Sequence, residues 1–276
     1  MEESLVKQFH EAKINGDKNL LNQLFLEKAP KTLIKFCSGV DGSHIASLLQ
    51  EQIWMSNTTA FNDPLDCVMN FDFDKDISIS DQDRMIDAFA REYLNAAIIP
   101  KCRVDWDERV AKIKKKFIST YVSCFTEPSQ ISSLLMWAYY ANGHRGYCVE
   151  YDMSAIKRWG REIFPVYYSD FYVTQQLFEF SGIDSPDMWK FLFDYVFTKS
   201  SEWKREKEWR MFTLGEDTKS GMLLPFATPK NIYFGCKTSK EDILTMKTAL
   251  KNTSIDFYQM QVVKGQYKLE TTKVEC

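Results

Sequence analysis

Short strand-length runs recur down the chain and are separated by turn formers and brief helical stretches, a pattern that admits few architectures. The runs include "KTLIKFC" (31–37), "IWMSN" (53–57), "STYVSCFTE" (119–127), "EWRMFTL" (208–214), "GMLLPF" (221–226) and "NIYFGC" (231–236). Strands of this length cannot bury a core singly, so they must share a sheet. "IDFYQMQVV" and "QYKLETTK" at the C-terminal end read as a hairpin, and strands joined by hairpins run antiparallel. Further strands are expected near 147–151 and 163–169, with helices over "GSHIASLLQEQ" (capped by Ser43), over 132–141, over about 171–180 and 186–200, and over "SKEDILTMKTAL" with a Ser239/Asp242 box. Residues 80–118 are charged and helix-periodic, after a loop holding the acidic run "NFDFDKD". The expected fold is α+β: a single domain of mostly antiparallel, split sheets flanked by helices. Residues 1–30 form an N-terminal helical cap, suited to docking a partner protein, and residues 31–276 form the core domain.

Composition narrows the function. With 45% hydrophobic residues in 276, the chain can bury a sizeable core. A formal charge of −3 gives no global basic field for duplex nucleic acid. No apolar run reaches the roughly 18–20 residues that span a bilayer, and "MEESLVKQFHEAK" is charged where a signal peptide is apolar. No membrane partner is expected, and the expected compartment is the cytoplasm. The cysteine count is seven, an odd number, with no CxxC pair; this fits reduced thiols used as small core residues. No nucleotide-binding or hydrolase glycine motif occurs, and three His in the whole chain make a His-rich metal site unexpected.

Chemistry-bearing side chains concentrate in four stretches. Lys35 interrupts the first strand; His44 follows on a helix, and "FNDPLDC" presents Asn62, Asp63 and Asp66 around a proline, which is also how a well-made turn reads. In "SSLLMWAYYANGHRGYCVEY", Trp137, Tyr139 and Tyr140 lie around a helix that Gly143 ends, and His144 and Arg145 occupy the entrance to the next strand. Core packing accounts for Trp137 and one tyrosine; the remaining groups suit an anion or a nucleotide. In "KREKEWRMF", Glu206, Glu208 and Arg210 fall on one face of an extended strand and Lys207, Trp209 and Met211 on the other. This charge row is either structural or a catalytic carboxylate with its orienting neighbour. Lys237-Thr238 lacks the glycine loop that an ATP site of the Walker type needs.

In order along residues 31–240, "FNDPxD", "MWxxYAxxHxGxCxEYD" and "WxxExEWR" resemble the bacterial proteins grouped as domain of unknown function 2971. Phe36 and Arg145 stand where that family often has Tyr and Lys, and the N-terminal helices lie outside the resemblance. The family name implies no activity. A more distant likeness of layout, a polar first strand, an aromatic helix and an ExE strand, is similar to ADP-ribosyltransferases of bacterial toxins. That likeness implies NAD as substrate in a cleft between two sheets, with no metal. Glu208 would be the catalytic carboxylate, Glu206 its partner, and Tyr140 or Tyr139 the stacking ring. Lys35, His44, Asn62, Asp63, Trp137, His144, Arg145 and Arg210 would complete the nucleotide site. Lys35 departs from the His or Arg usual on that strand. The implied protein is a transferase or NAD glycohydrolase effector in bacterial stress or phage defence, with a protein or nucleic-acid acceptor. Two other readings remain open at this point. One is a metal-dependent nuclease built on Asp194, Glu202 and Lys204 with Asp63 and Asp66; the other is a non-catalytic sensor or interaction module.

Overall fold

A computed structural model describes residues 1–68, 111–112, 115–158, 162–172, 186–215 and 219–274. Two helices, α1 (Glu3–Ile14) and α2 (Lys18–Glu27), open the chain; Asp17 caps α2 by accepting the Leu20 N–H. Strand β1 (Thr32–Cys37), helix α3 (Gly42–Leu49) and β2 (Gln52–Asn57) follow. After β3 (Thr120–Thr126) come α4 (Leu134–Tyr140), β4 (Tyr147–Asp152), α5 (Met153–Arg158) and two short strands, β5 (Phe164–Pro165) and β6 (Tyr167–Ser169). Helix α6 (Pro186–Phe197) runs into β7 (Thr198–Ser200). Then come β8 (Glu208–Leu214), β9 (Gly221–Pro225), β10 (Asn231–Phe234), α7 (Lys240–Ala249), β11 (Asp256–Val262) and β12 (Leu269–Lys273).

The α+β class holds, with a mixed, mostly antiparallel open sheet. Its strand order is β12-β11-β10-β4-β1-β3-β2-β9, and β8 pairs along β3 and carries β5 on its far side. Among the described residues, only β10–β11, joined by the crossover helix α7, and the separate β6–β7 pair are parallel. Strand β3 positions the site. One of its edges pairs with β8 from Thr120 to Thr126; the other is shared by β2 at Tyr121 and Val122 and by β1 at Thr126. Strands β1 and β2 therefore part company along a single neighbour. Between their contacts the sheet forks, and the Cys124 carbonyl inside the fork accepts a 3.4 Å hydrogen bond from Lys35 Nζ.

Alternation along β8 explains which face closes and which opens. Trp209 and Met211 are buried on one side, where Phe9 of α1 meets the Trp209 ring edge-on at 5.7 Å. Phe9 belongs to the same buried cluster as Leu33, Phe164 and Trp209, so the apolar face of α1 is used inside the molecule. Glu208 and Arg210 project to the other side, beneath the fork.

Three local expectations change. The N-cap of α3 is Asp41, which accepts from the Ser43 and His44 N–H groups, because its carboxylate oxygen, just ahead of the first helical residue, reaches two donors at once. The strand expected over 163–169 breaks at Val166, whose N–H donates to the Glu208 carbonyl. The helix expected over 186–200 stops at Phe197 and its last residues become β7. The Ser239 cap of α7 is as expected, accepting from the Asp242 N–H at 3.0 Å. The acidic run at 70–76, most of the helix expected over about 171–180 and most of 80–118 lie outside the described residues. Among the described residues, no helix is long and apolar enough to cross a membrane.

Candidate active site

The fork opens into a cleft of about 180 Å³ whose lining includes Lys35, Asn62, Tyr140, Glu206 and Glu208. Phe36, Phe61 and Met136 supply its apolar walls. Its floor is a buried cluster of five charged groups centred on Lys199 of β7. Lys199 Nζ lies 2.6 Å from Glu206 Oε2, 3.0 Å from Glu208 Oε2 and 3.5 Å from Asp66 Oδ2. Arg210, fully buried, grips Asp66 through both terminal nitrogens at 2.9 and 2.6 Å. Its Nε donates to Glu208 Oε1 at 2.7 Å and its Nη1 to the Val196 carbonyl at 2.8 Å. The guanidinium is thereby consumed in structure and offers no free donor to a ligand.

Three carboxylates facing two cations leave one formal negative charge unbalanced in a site removed from water. When the cluster takes up a proton, the site that takes it first is the carboxyl with the weakest cationic support. Glu208 touches both Arg210 and Lys199; Glu206 touches Lys199 alone. Burial pushes the Glu206 carboxyl above the usual range, and the nearby Glu208 charge adds to this against the pull of Lys199. For Glu208 burial acts in the same direction, but Arg210 and Lys199 outweigh it and hold the group well below that range. Lys199 stays a cation, because Glu208, Asp66 and Glu206 more than offset its desolvation. Tyr140 donates its hydroxyl to Glu206 Oε1 at 2.5 Å and stays protonated, since burial and the Glu206 charge oppose its ionisation.

Local geometry delivers Glu206 by a route that simple alternation does not describe. Glu206 ends a 3-10 turn (Ser201–Glu206), and Lys207 takes a left-handed conformation at φ +50° before β8 begins. The Glu206 carbonyl is held by the Thr126 hydroxyl, and the Glu208 N–H by the Tyr168 hydroxyl at 2.9 Å. Glu206 is therefore not a strand residue, yet its carboxylate meets that of Glu208 on Lys199.

The other expected site residues fall elsewhere. Asp63 caps its own turn by accepting from the Leu65 N–H, and His44 Nδ1 lies 2.9 Å from Asp41 at the start of α3. Trp137 is buried in a second apolar cluster with Ile34 and Cys148, and its indole N–H donates to the Ile131 carbonyl. Tyr139 is 62% exposed, beside the cleft and outside its lining. His144 and Arg145 follow a turn in which Asn142, Gly143 and His144 all have positive φ. That turn carries the backbone toward Lys237, whose N–H donates to the His144 carbonyl. Neither side chain lines the cleft. Asp194 pairs with Lys190, and Lys204 lies 3.9 Å from Glu3, so the Asp194-Glu202-Lys204 series is partnered separately. Lys199 and Asp66 complete the site. Asp66 stands out only as part of "FNDPLDC", and Lys199 has no sequence signal beyond lying a short way before the ExE pair.

No family model, no curated protein and no solved structure matches the chain.

Proposed function

We propose that the fork cleft cleaves the bond between nicotinamide and ribose in NAD, passing the ADP-ribosyl group to water or to a protein or nucleic-acid acceptor. The observation that carries this reading is the pair Glu206 and Glu208 on one lysine, with their proton affinities driven apart. Such separation is how two like groups take two roles. As the C1′–N bond breaks, its electron pair leaves with nicotinamide and positive charge develops on the ribose. The net negative charge of the cluster stabilises that charge at close range in a water-poor site. Glu206, the more basic carboxylate, then accepts the proton of the attacking water or acceptor hydroxyl. Glu208 stays ionised and, held by Arg210, fixes Lys199 and hence Glu206. Phe36, Phe61 and Met136 offer the apolar surface for the nicotinamide ring, and Lys35 and Asn62 the polar contacts at the rim. The roles of the two carboxylates are exchanged relative to the sequence expectation, because Glu208 is the better neutralised.

The resemblance to the uncharacterised bacterial family, and a role as a cytoplasmic effector in stress or phage defence, belong to this same reading. The test is to incubate the protein with NAD and follow free nicotinamide by chromatography, with and without candidate acceptors. Release that depends on protein concentration is expected. No release under any acceptor condition would remove the proposal.

A further inference from the structure

A cavity of about 420 Å³ adjoins the cleft, and Met136 and Glu206 line both. We infer that this second cavity, walled by Tyr139 and Trp203, is a subsite for the purine end of a nucleotide. The inference rests on the nucleotide reading of the cleft and names where the rest of the molecule lies. The cleft alone is smaller than the roughly 300–1,000 Å³ of most small-molecule sites, and the two cavities together fall within that range.

The lining has the composition a nucleobase requires. The rings of Tyr139 and Trp203 stand 6.2 Å apart at 75°, so a planar ligand can lie on one and meet the edge of the other. Tyr139 already presents most of its surface to solvent. Leu135 and Met136 add apolar floor; Glu202 and Glu206 add carboxylates, and the exposed Arg205 offsets one of them with a cation where a phosphate would follow the base. Bases stack on such platforms with little regard to identity. Trp203 is tied to the chemistry as well, because Lys199 Nζ lies 5.1 Å over its ring. A base seated on Trp203 would thus be registered against the lysine that holds Glu206 and Glu208.

Calorimetric titration of the full chain with adenosine monophosphate tests the subsite without any need for turnover. Wild type is expected to bind one equivalent. Tyr139→Ala, at a mostly exposed position that should not disturb folding, is expected to weaken binding by about 5- to 150-fold, the range for loss of one base-stacking ring. Tyr139→Phe should bind within about twofold of wild type. Absence of binding by wild type, or equal affinity in wild type and Tyr139→Ala, would overturn the inference. Nicotinamide release is read separately. Binding without release would remove the cleavage reading and leave the subsite; release without binding would remove the subsite alone.

Discussion

Glu206→Gln is expected to lower nicotinamide release by about 10²- to 10⁴-fold while leaving the melting temperature unchanged or slightly raised. The two halves of this result come from one fact, the surplus negative charge of the cluster. Replacing the Glu206 carboxyl by an amide keeps the volume and one acceptor oxygen for Lys199, turns the amide NH2 toward the Tyr140 hydroxyl, which can rotate to accept, and leaves two carboxylates against two cations. What is lost is the group able to take a proton. In wild type the rate should rise with pH through the Glu206 titration. Its midpoint lies above the ordinary glutamate value of about 4.3, because the ionised form is the active base and burial disfavours it. Glu208→Gln should behave differently: it frees Arg210 from a partner at 2.7 Å inside the protein, so loss of activity comes with a fall in melting temperature. Retention of full activity by Glu206→Gln would remove Glu206 from the mechanism.

Arg210→Met is expected to destabilise the fold by about 3–5 kcal/mol, the usual cost of leaving buried charge uncompensated. For a chain of this size that corresponds to a drop of roughly 6–20 °C in melting temperature. The side chain is fully buried and joins β8 to Asp66 in the turn after β2, to Glu208 beside it and to the Val196 carbonyl at the end of α6. Methionine fills much of the volume, so the loss measures charge and hydrogen bonding rather than a cavity. Adding Asp66→Leu to Arg210→Met should recover part of the stability, since it removes one of the two stranded carboxylates. A melting temperature within about 2 °C of wild type for Arg210→Met would show that the cluster does not hold these elements together.

Much of the sheet is legible in the sequence because strand periodicity is local. Alternation in "EWRMFTL" places Glu208 and Arg210 opposite Trp209 and Met211, and the polar Lys35 in an otherwise apolar strand marks the residue that faces the fork. The aromatic helix offers Tyr139 and Tyr140 alike, and of the two it is Tyr140, four residues after Met136, that lines the cleft. The centre of the cluster is not legible in this way, because Lys199 meets the nearby Glu206 and Glu208 only where the turn at Asp66, far away in sequence, closes the cluster. Its neighbours "VFTKSS" continue a helical pattern, and tertiary pairing with β6 makes them a strand instead. Arg145 and His144 mislead for the opposite reason. Their position after an aromatic helix suggests a cleft, but three successive positive φ values turn the chain away. Trp137 reads as core before ligand platform, and its burial and its indole bond to the Ile131 carbonyl bear that out.

The division of labour between Glu206 and Glu208 is most directly tested by carboxyl carbon-13 NMR of the protein labelled at its glutamate side chains, with signals assigned from the two Gln variants. The Glu206 signal should titrate with a midpoint above the ordinary glutamate value, and the Glu208 signal should stay in its ionised position down to acid unfolding. Both carboxyls titrating together near about 4.3, or Glu208 taking up the proton before Glu206, would contradict the proposed roles.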